Sequence, residues 1–103
     1  MNITYPGSLH NHTEKSNFRL RDCIVKSENL VQRAIELGQS VVAITDHETI
    51  SEAVKVEELR KKYPDIKIIM GNEIYLCRDG LNAENFMAGV DKYVHFILLA
   101  KDR

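Results

Sequence analysis

The chain has 103 residues, of which 44% are hydrophobic and 28% are charged, and this is the composition of one ordinary globular domain. Its 14 basic and 15 acidic residues leave a formal net charge of -1, which excludes a global basic field for attracting nucleic acid or anionic lipid. We expect a single domain over residues 1–103, in which any contact with DNA is local.

The sequence contains no candidate membrane-spanning segment, because its longest apolar run, at residues 96–100, is far too short. Its first residues also lack the basic and apolar regions of a signal peptide. Cys23 and Cys77 are far apart and form no CxxC pair, so we expect two reduced thiols. Together these features predict a cytoplasmic protein with no membrane partner.

The first strand is predicted at residues 8–12, after a turn at residues 5–7. Because side chains alternate across a strand, His10 and His12 are expected to project from one face and to reach one site. Residues 13–26 show no clear period and are expected to form a polar loop, and loops of this length are often functional.

A helix is predicted over residues 27–37, with Ser27 as its N-cap and Gly38 just beyond its end. It leads into a strand at residues 40–45, whose β-branched apolar run is typical of a parallel strand covered on both faces. In parallel α/β folds, ligands gather outside the carboxyl ends of the strands. Asp46 and His47 lie at that end of the strand.

The second half of the chain predicts one more helix and two more strands. Thr49 and Glu52 match a capping box for a helix that ends before Pro64. A strand at residues 66–70 is expected to be interrupted at residues 71–72 and to resume at residues 74–77. Residues 78–92 are expected to form a loop with a short helix at 83–87, before a last strand at residues 93–100.

The resulting order is β-α-β-α-β-loop-β, which indicates an α/β fold with a parallel sheet. The chain stops soon after its most apolar strand, which would leave that strand unpaired on one side. We therefore expect a truncated domain.

Histidines and carboxylates mark the predicted site. The four histidines, at positions 10, 12, 47 and 95, lie on predicted strands or at strand ends, as do Asp46 and Glu73. Imidazole and carboxylate ligands together suit zinc, manganese or iron, and a site without thiolates favours a catalytic rather than a structural metal. The sequence has no GxSxG elbow, Walker loop or GxGxxG motif.

Each of these residues also has a purely structural interpretation. A single strand histidine, His95 above all, is more often packed in a core than bound to a metal. Asp46 and His47 are also compatible with a simple turn and helix cap. Gly71 before Glu73 is compatible with a β-bulge that leaves the acid exposed.

Four segments in order resemble the motifs of the PHP (polymerase and histidinol phosphatase) superfamily. They are residues 9–13 (LHNHT), 44–47 (ITDH), 71–73 (GNE) and 95–100 (HFILLA). The stretch from residue 9 to residue 102 is similar to the N-terminal PHP domains of bacterial DNA polymerase III α subunits. The resemblance implies that the chain is the N-terminal half of a distorted seven-stranded β/α barrel.

The resemblance also implies a cluster of divalent ions, zinc or manganese, at the carboxyl ends of the strands. Its implied ligands are His10, His12, Asp22, His47, Glu73 and His95, with Asp46 beside them rather than among them. The ligands that the family carries later in the domain have no counterpart here, so the chain alone is expected to be inactive.

The parent protein implied by the resemblance is a DNA-directed DNA polymerase that acts in replication. Its PHP domain would be a metal-dependent phosphoesterase of the proofreading 3′-5′ exonuclease type. Its partners would be the rest of the α subunit, the replisome, and DNA through the parent protein. Two alternatives remain: a stand-alone PHP phosphatase of the histidinol-phosphatase type, and a PHP module that only scaffolds a polymerase.

Overall fold

The structure is a computed structural model that describes residues 6–18, 23–77 and 93–102. Its elements are four strands, two α-helices and a short 3-10 helix. In chain order they are β1 (Gly7–Ser8), the 3-10 helix (Glu14–Phe18), α1 (Ser27–Glu36), β2 (Val41–Ile44), α2 (Ala53–Lys62), β3 (Lys67–Cys77) and β4 (Tyr93–Leu99). No helix in these described ranges has both the length and the apolar character needed to cross a membrane.

The four strands form one curled sheet in the order β1-β2-β3-β4. Strands β1, β2 and β3 are parallel, as the alternation of strand and helix predicts, and the mixed α/β class is confirmed. The expectation of an all-parallel sheet is wrong for β4, which runs antiparallel to β3. Strand β3 has 11 residues and extends beyond its pairing with β2, so its second half can pair with β4.

One hydrophobic layer holds the two helices on the sheet, with α1 against β2 and α2 against β3. Its fully buried members alternate along the strands and recur at helical spacing along the helices. They are Val31, Ala34, Val42, Ile44, Val56, Leu59, Ile66 and Ile68. The opposite face of β2 is also covered, since Ala43 has no exposed surface. The core therefore fixes β2 and the first half of β3, whose ends carry the candidate site.

Several predicted boundaries differ from those of the structure. Strand β1 ends at Ser8 rather than at residue 12, and the backbone then turns across the end of β2. Helices α1 and α2 begin at Ser27 and Ala53, and neither has a side-chain cap, so the predicted Ser27 cap and Thr49–Glu52 capping box are wrong. Gly38 adopts the predicted left-handed conformation, with φ of 72°.

The interruption predicted at residues 71–72 is wrong, because β3 is continuous and its register with β4 contains no bulge. Gly71 lies where β3 changes partner from β2 to β4. A Cβ atom there would lie 2.5 Å from the carbonyl oxygen of Leu98, so glycine is required by the close approach of the backbones. The loop and short helix predicted within residues 78–92 lie outside the described residues.

Candidate metal centre

Glu73 is the residue around which the site is arranged. It follows the last β3 residue that pairs with β2 by three positions, and it forms an isolated parallel bridge with His47. Its backbone N–H donates to the Asp46 carbonyl at 3.1 Å, and its carbonyl accepts from the Glu48 N–H at 3.0 Å. Glu73 is 4% exposed, so the carboxylate is buried where the chain leaves β2.

Four histidines surround this carboxylate. Its Oε2 atom lies 3.0 Å from His10 Nε2, 2.5 Å from His12 Nε2 and 3.5 Å from His47 Nε2. Its Oε1 atom lies 2.9 Å from His95 Nδ1. The histidines come from the segment after β1, from the end of β2 and from β4, so three separate parts of the chain meet at one acid.

The four histidines hold Glu73 in its ionised form. Burial raises the pKa of the carboxyl, but hydrogen bonds from His10, His12 and His95 and the charge of His47 lower it by more. The resulting pKa is about 2, below the ordinary value of 4.5. At neutral pH the site therefore presents a buried negative charge surrounded by imidazoles.

The described residues include two groups of side chains whose ligand atoms lie within 4.8 Å of one another. One group is His10, His12 and Glu73, and the other is His47, Glu73 and His95. Two ligands of one tetrahedral zinc ion lie roughly 3.4 Å apart, given zinc–ligand distances of about 2.0–2.1 Å. The Nε2 atoms of His10 and His12 are 3.3 Å apart, and His47 Nε2 is 3.5 Å from the carboxylate. These two spacings match that value, whereas His12 Nε2 is only 2.5 Å from the carboxylate, closer than two ligands of one ion. The types of donor present suit a divalent ion.

Asp46 is close to this cluster but contacts a different group. It is 1% exposed, and its carboxylate accepts from the Thr13 N–H at 2.5 Å and from the Thr13 hydroxyl at 2.8 Å. These bonds hold the segment after His12 against the end of β2. The Asp46 carboxylate therefore binds Thr13 and does not cap a helix, which was the structural alternative for this residue.

Asn11 holds the two histidines of the first motif in place from the opposite side. Its side-chain N–H groups donate to the Ser8 carbonyl at 3.1 Å and to the Ala43 carbonyl at 2.9 Å. Its backbone N–H donates to Thr45 Oγ1 at 3.0 Å, and its carbonyl accepts from the Thr45 N–H at 2.8 Å. The alternation expected of a strand is thus kept by hydrogen bonds to β2, although the segment is not a strand.

Two further side chains position His47. Its backbone N–H donates to Ser16 Oγ at 2.8 Å. Its Nδ1 atom lies 3.5 Å from the Tyr75 hydroxyl, and the two rings are stacked with an interplanar angle of 15°. Tyr75 also meets His95 edge to face, with ring centroids 4.6 Å apart. Because Tyr75 follows Glu73 by two positions on β3, both side chains lie on the same face.

The structure brings five of the predicted ligands together, namely His10, His12, His47, Glu73 and His95, and Asp22 lies outside the described residues. His95 is not a core histidine, since its side chain is 46% exposed, and Glu73 is not an exposed acid on a bulge. Sequence reasoning missed the positioning residues Asn11, Thr13, Ser16, Thr45 and Tyr75. Only Asn11, between two histidines, and Tyr75, two residues after Glu73, carried a signal in their spacing.

Fold and site together define an α/β protein with a histidine–carboxylate cluster beyond the carboxyl ends of its parallel strands. The family model described as "PHP domain" matches residues 8–103, so the chain belongs to the PHP domain family.

Relatives of this chain include DNA polymerases. The chain is 40% identical over 102 residues to "Probable DNA polymerase YorL" of Bacillus subtilis (strain 168), covering 90% of this chain and 8% of the relative. It is 32% identical over 94 residues to "DNA polymerase III subunit alpha" of Treponema pallidum (strain Nichols), covering 91% of this chain and 8% of the relative. It is also 34% identical over 73 residues to "DNA polymerase III PolC-type" of Caldanaerobacter subterraneus subsp. tengcongensis, covering 71% of this chain and 5% of the relative. The chain thus spans less than a tenth of the length of these relatives.

Proposed function

We propose that this chain is part of the PHP domain of a replicative DNA polymerase of the DNA polymerase III type, and that its site binds zinc or manganese. The observation that carries the metal site is the convergence of four histidines on the buried carboxylate of Glu73. The similarity to polymerase regions, over most of this chain, supports the parent protein.

The proposed ligands are the five residues of the two donor groups, joined by Asp22 from the loop after the first motif. The side chains of His10 and His12 meet at the same oxygen of Glu73, with their Nε2 atoms 3.3 Å apart. Without a cation, both histidines donate to that oxygen. Neutral imidazoles and a carboxylate directed at one point instead offer lone pairs to a divalent ion.

The proposed reaction of the complete domain is the hydrolysis of a phosphodiester, of the 3′-5′ exonuclease type. A bound divalent ion would supply Lewis-acid activation of water and of the phosphoryl oxygens. The contribution of this chain would be to hold the ligand atoms in place: Asn11 and Thr13 anchor the first motif, and Tyr75 orients His47. Such supporting contacts typically change metal affinity or activity by about 10- to 100-fold.

Metal binding is tested by calorimetric titration of the chain with zinc and with manganese. Glu73→Gln removes the charge shared by both donor groups and is expected to weaken binding more than any other single change. His12→Ala and His47→Ala each remove one ligand from a different group and are expected to reduce the affinity markedly. Glu36→Gln is the matched control, because Glu36 is an exposed acid on α1 whose partner is Arg33.

Circular dichroism spectra of all four variants must first show an intact fold. Equal affinities in the parent chain, Glu73→Gln and His47→Ala would contradict the metal site. The phosphoesterase proposal is tested separately in the full-length parent protein, with a 3′-labelled single-stranded oligonucleotide and added manganese. Hydrolysis that survives His12→Ala unchanged would assign that activity to another site.

A further inference from the structure

The residue directly after His47 has an unusual backbone conformation. Glu48 is in the left-handed region, with φ of 53°, and is the one non-glycine residue with a positive φ in the described ranges. A residue with a Cβ atom is disfavoured in this conformation, whereas glycine adopts it freely. The Glu48 side chain is exposed, so its burial does not explain why the conformation is kept. Contacts of the surrounding backbone must therefore hold it.

Strand β3 holds the backbone on both sides of Glu48. On one side, the Glu48 N–H donates to the Glu73 carbonyl at 3.0 Å, which fixes the peptide group between His47 and Glu48. On the other side, the Asn72 side-chain N–H donates to the Thr49 carbonyl at 2.7 Å, which fixes the peptide group after Thr49. Because peptide groups are planar, fixing these two groups restricts the dihedral angles of the two residues between them.

The place of Asn72 on β3 explains how its side chain reaches the turn. Side chains alternate across a strand, so Asn72 lies on the face opposite Glu73. It shares that face with Ile68 and Met70, which pack in or against the hydrophobic layer under the helices. Asn72 continues this face beyond the core, where the chain enters the turn before α2. Its amide therefore reaches the Thr49 carbonyl rather than the histidine cluster.

The far end of the turn is fixed by α2. The Ala53 N–H at the start of this helix donates to the Ile50 carbonyl at 2.9 Å, and the helix is held in the core, where Leu59 is 1% exposed. If the side-chain contact from β3 is lost, Glu48 can relax to a negative φ. Since α2 cannot follow, the change is taken up in the short segment between β2 and α2, which carries His47.

We propose that Asn72 is a positioning residue of the metal centre, which acts through Glu48. Its hydrogen bond to the turn keeps Glu48 in the left-handed conformation. That conformation holds the His47 imidazole beside Glu73, where Nε2 and Oε2 are 3.5 Å apart. The positioning is a property of the metal-free chain, whereas its effect on metal affinity rests on the proposed function, in which His47 is a ligand.

The test compares the histidine ring resonances of ¹⁵N-labelled, metal-free variants. Asn72→Ala removes the amide donor and is expected to shift the ring resonances of His47. Glu48→Gly alone is expected to leave them near their positions in the parent chain, because glycine keeps the left-handed conformation without strain. In the double variant Asn72→Ala/Glu48→Gly they are expected to return most of the way to the parent positions. Such non-additivity indicates two residues that act together.

Further variants separate the backbone strain from other effects. Glu48→Ala removes the carboxylate but keeps a Cβ atom, so Asn72→Ala/Glu48→Ala is expected to show no return toward the parent positions. Gln32→Ala removes an exposed amide on α1 that donates to the Tyr63 hydroxyl, and it is expected to leave His47 unchanged. Circular dichroism must show an intact fold for each variant. Asn72→Asp, which cannot donate but keeps the shape of the side chain, replaces Asn72→Ala if the latter does not fold.

Calorimetric titration of the same variants with zinc measures the effect on the site. Asn72→Ala is expected to bind zinc about tenfold more weakly than the parent chain, as for the loss of a supporting contact, and the added Glu48→Gly to restore the affinity. If the parent chain binds no zinc, the proposed function fails, while the ring resonances still decide the role of Asn72. Unshifted His47 resonances in Asn72→Ala, or an equal shift with and without Glu48→Gly, would overturn the proposal.

Discussion

The two halves of β3 have different surroundings. The first half, residues 67–70, pairs with β2 under the two helices, and Ile68 is 3% exposed. The second half, residues 71–77, pairs with β4, where Phe96 is 46% exposed and Leu98 is 47% exposed. One strand thus contributes to a closed core and to an open apolar face. Glu73 lies just after Gly71, where β3 changes its partner from β2 to β4.

The candidate metal centre also takes its histidines from both of these surroundings. His10, His12 and His47 belong to segments that hydrogen bonds tie to β2 or to one another, whereas His95 is on β4. The difference is one of backbone support, since the side chain of His10 is 54% exposed and that of His95 is 46% exposed. We therefore expect three histidines to be positioned by the helix-covered part of the fold, and the fourth to depend on how well β4 is held. The following predictions test that division, beginning with the largest expected effect.

Leu59→Ala should destabilise the chain far more than the same substitution at Leu98. Leu59 is 1% exposed in the core under α2, and truncating such a leucine costs about 2–5 kcal/mol. Leu98→Ala removes a side chain that is already half exposed, and we expect a cost below about 1 kcal/mol. Urea denaturation of the two variants measures both values. Equal losses would mean that the face of β4 is as well packed as the core.

Gly71→Ala should loosen β4 from β3. The new Cβ atom would meet the Leu98 carbonyl at 2.5 Å, and relieving such a contact costs about 1–3 kcal/mol. Hydrogen exchange should speed up at the Ala100 N–H, which donates to the Met70 carbonyl. Gly38→Ala is the comparison, because it strains a left-handed residue after α1 and leaves β4 alone. Unchanged exchange at Ala100 in Gly71→Ala would refute the close approach.

Asp46→Asn should cost about 1–2 kcal/mol, because an amide cannot accept from both donors of Thr13 as a carboxylate does. The ring resonances of His12 should shift in the same variant, since the anchored segment begins next to it. Asp65→Asn, a change at an exposed turn residue, serves as the control. A shift of equal size in both variants would remove Asp46 from the support of His12.

Tyr75→Phe should have the smallest effect on stability, below about 0.5 kcal/mol, because the ring that stacks on His47 is kept. The ¹⁵N chemical shift of His47 Nδ1 should nevertheless change, since the hydroxyl 3.5 Å away is lost. Tyr63→Phe removes a hydroxyl that donates to Glu28, remote from the site, and should leave His47 unchanged. An unaltered His47 spectrum in Tyr75→Phe would show that the hydroxyl does not orient the imidazole.

Metal binding by this chain, the identity of the metal, the whole set of ligands and the phosphoesterase activity stay predictions, whereas the family and the α/β class are established. Sequence reasoning was reliable where a pattern is local. The apolar run of β2 and the periodic spacing of α1 produced elements within a few residues of their predicted bounds. Only Thr45 and Asp46 separate β2 from His47, so the sequence placed that histidine at the end of the strand.

The ends of the strands and helices and the direction of β4 depended on contacts between distant parts of the chain. The segment from Leu9 to Thr13 has strand-like alternation, but its hydrogen bonds go to side chains and carbonyls of β2, so only the packed chain decides its conformation. Ser27 and Glu52 have the chemistry of helix caps, yet the helix starts leave both side chains in a shared cavity. The direction of β4 depended on β3 extending past β2, which no spacing in the sequence reveals.

The sequence alone determined which residues have the chemistry of metal ligands, because imidazole and carboxylate are properties of side-chain type, and it determined β2, which places His47 at a strand end. Only the tertiary structure decided that four histidines share the single acid Glu73, since their separations in the chain reach 63 residues. Contacts at that distance arise from strand pairing and from the layer of helices, which bring the strand ends together. The histidine contacts that keep Glu73 ionised despite its burial are likewise a property of the folded chain.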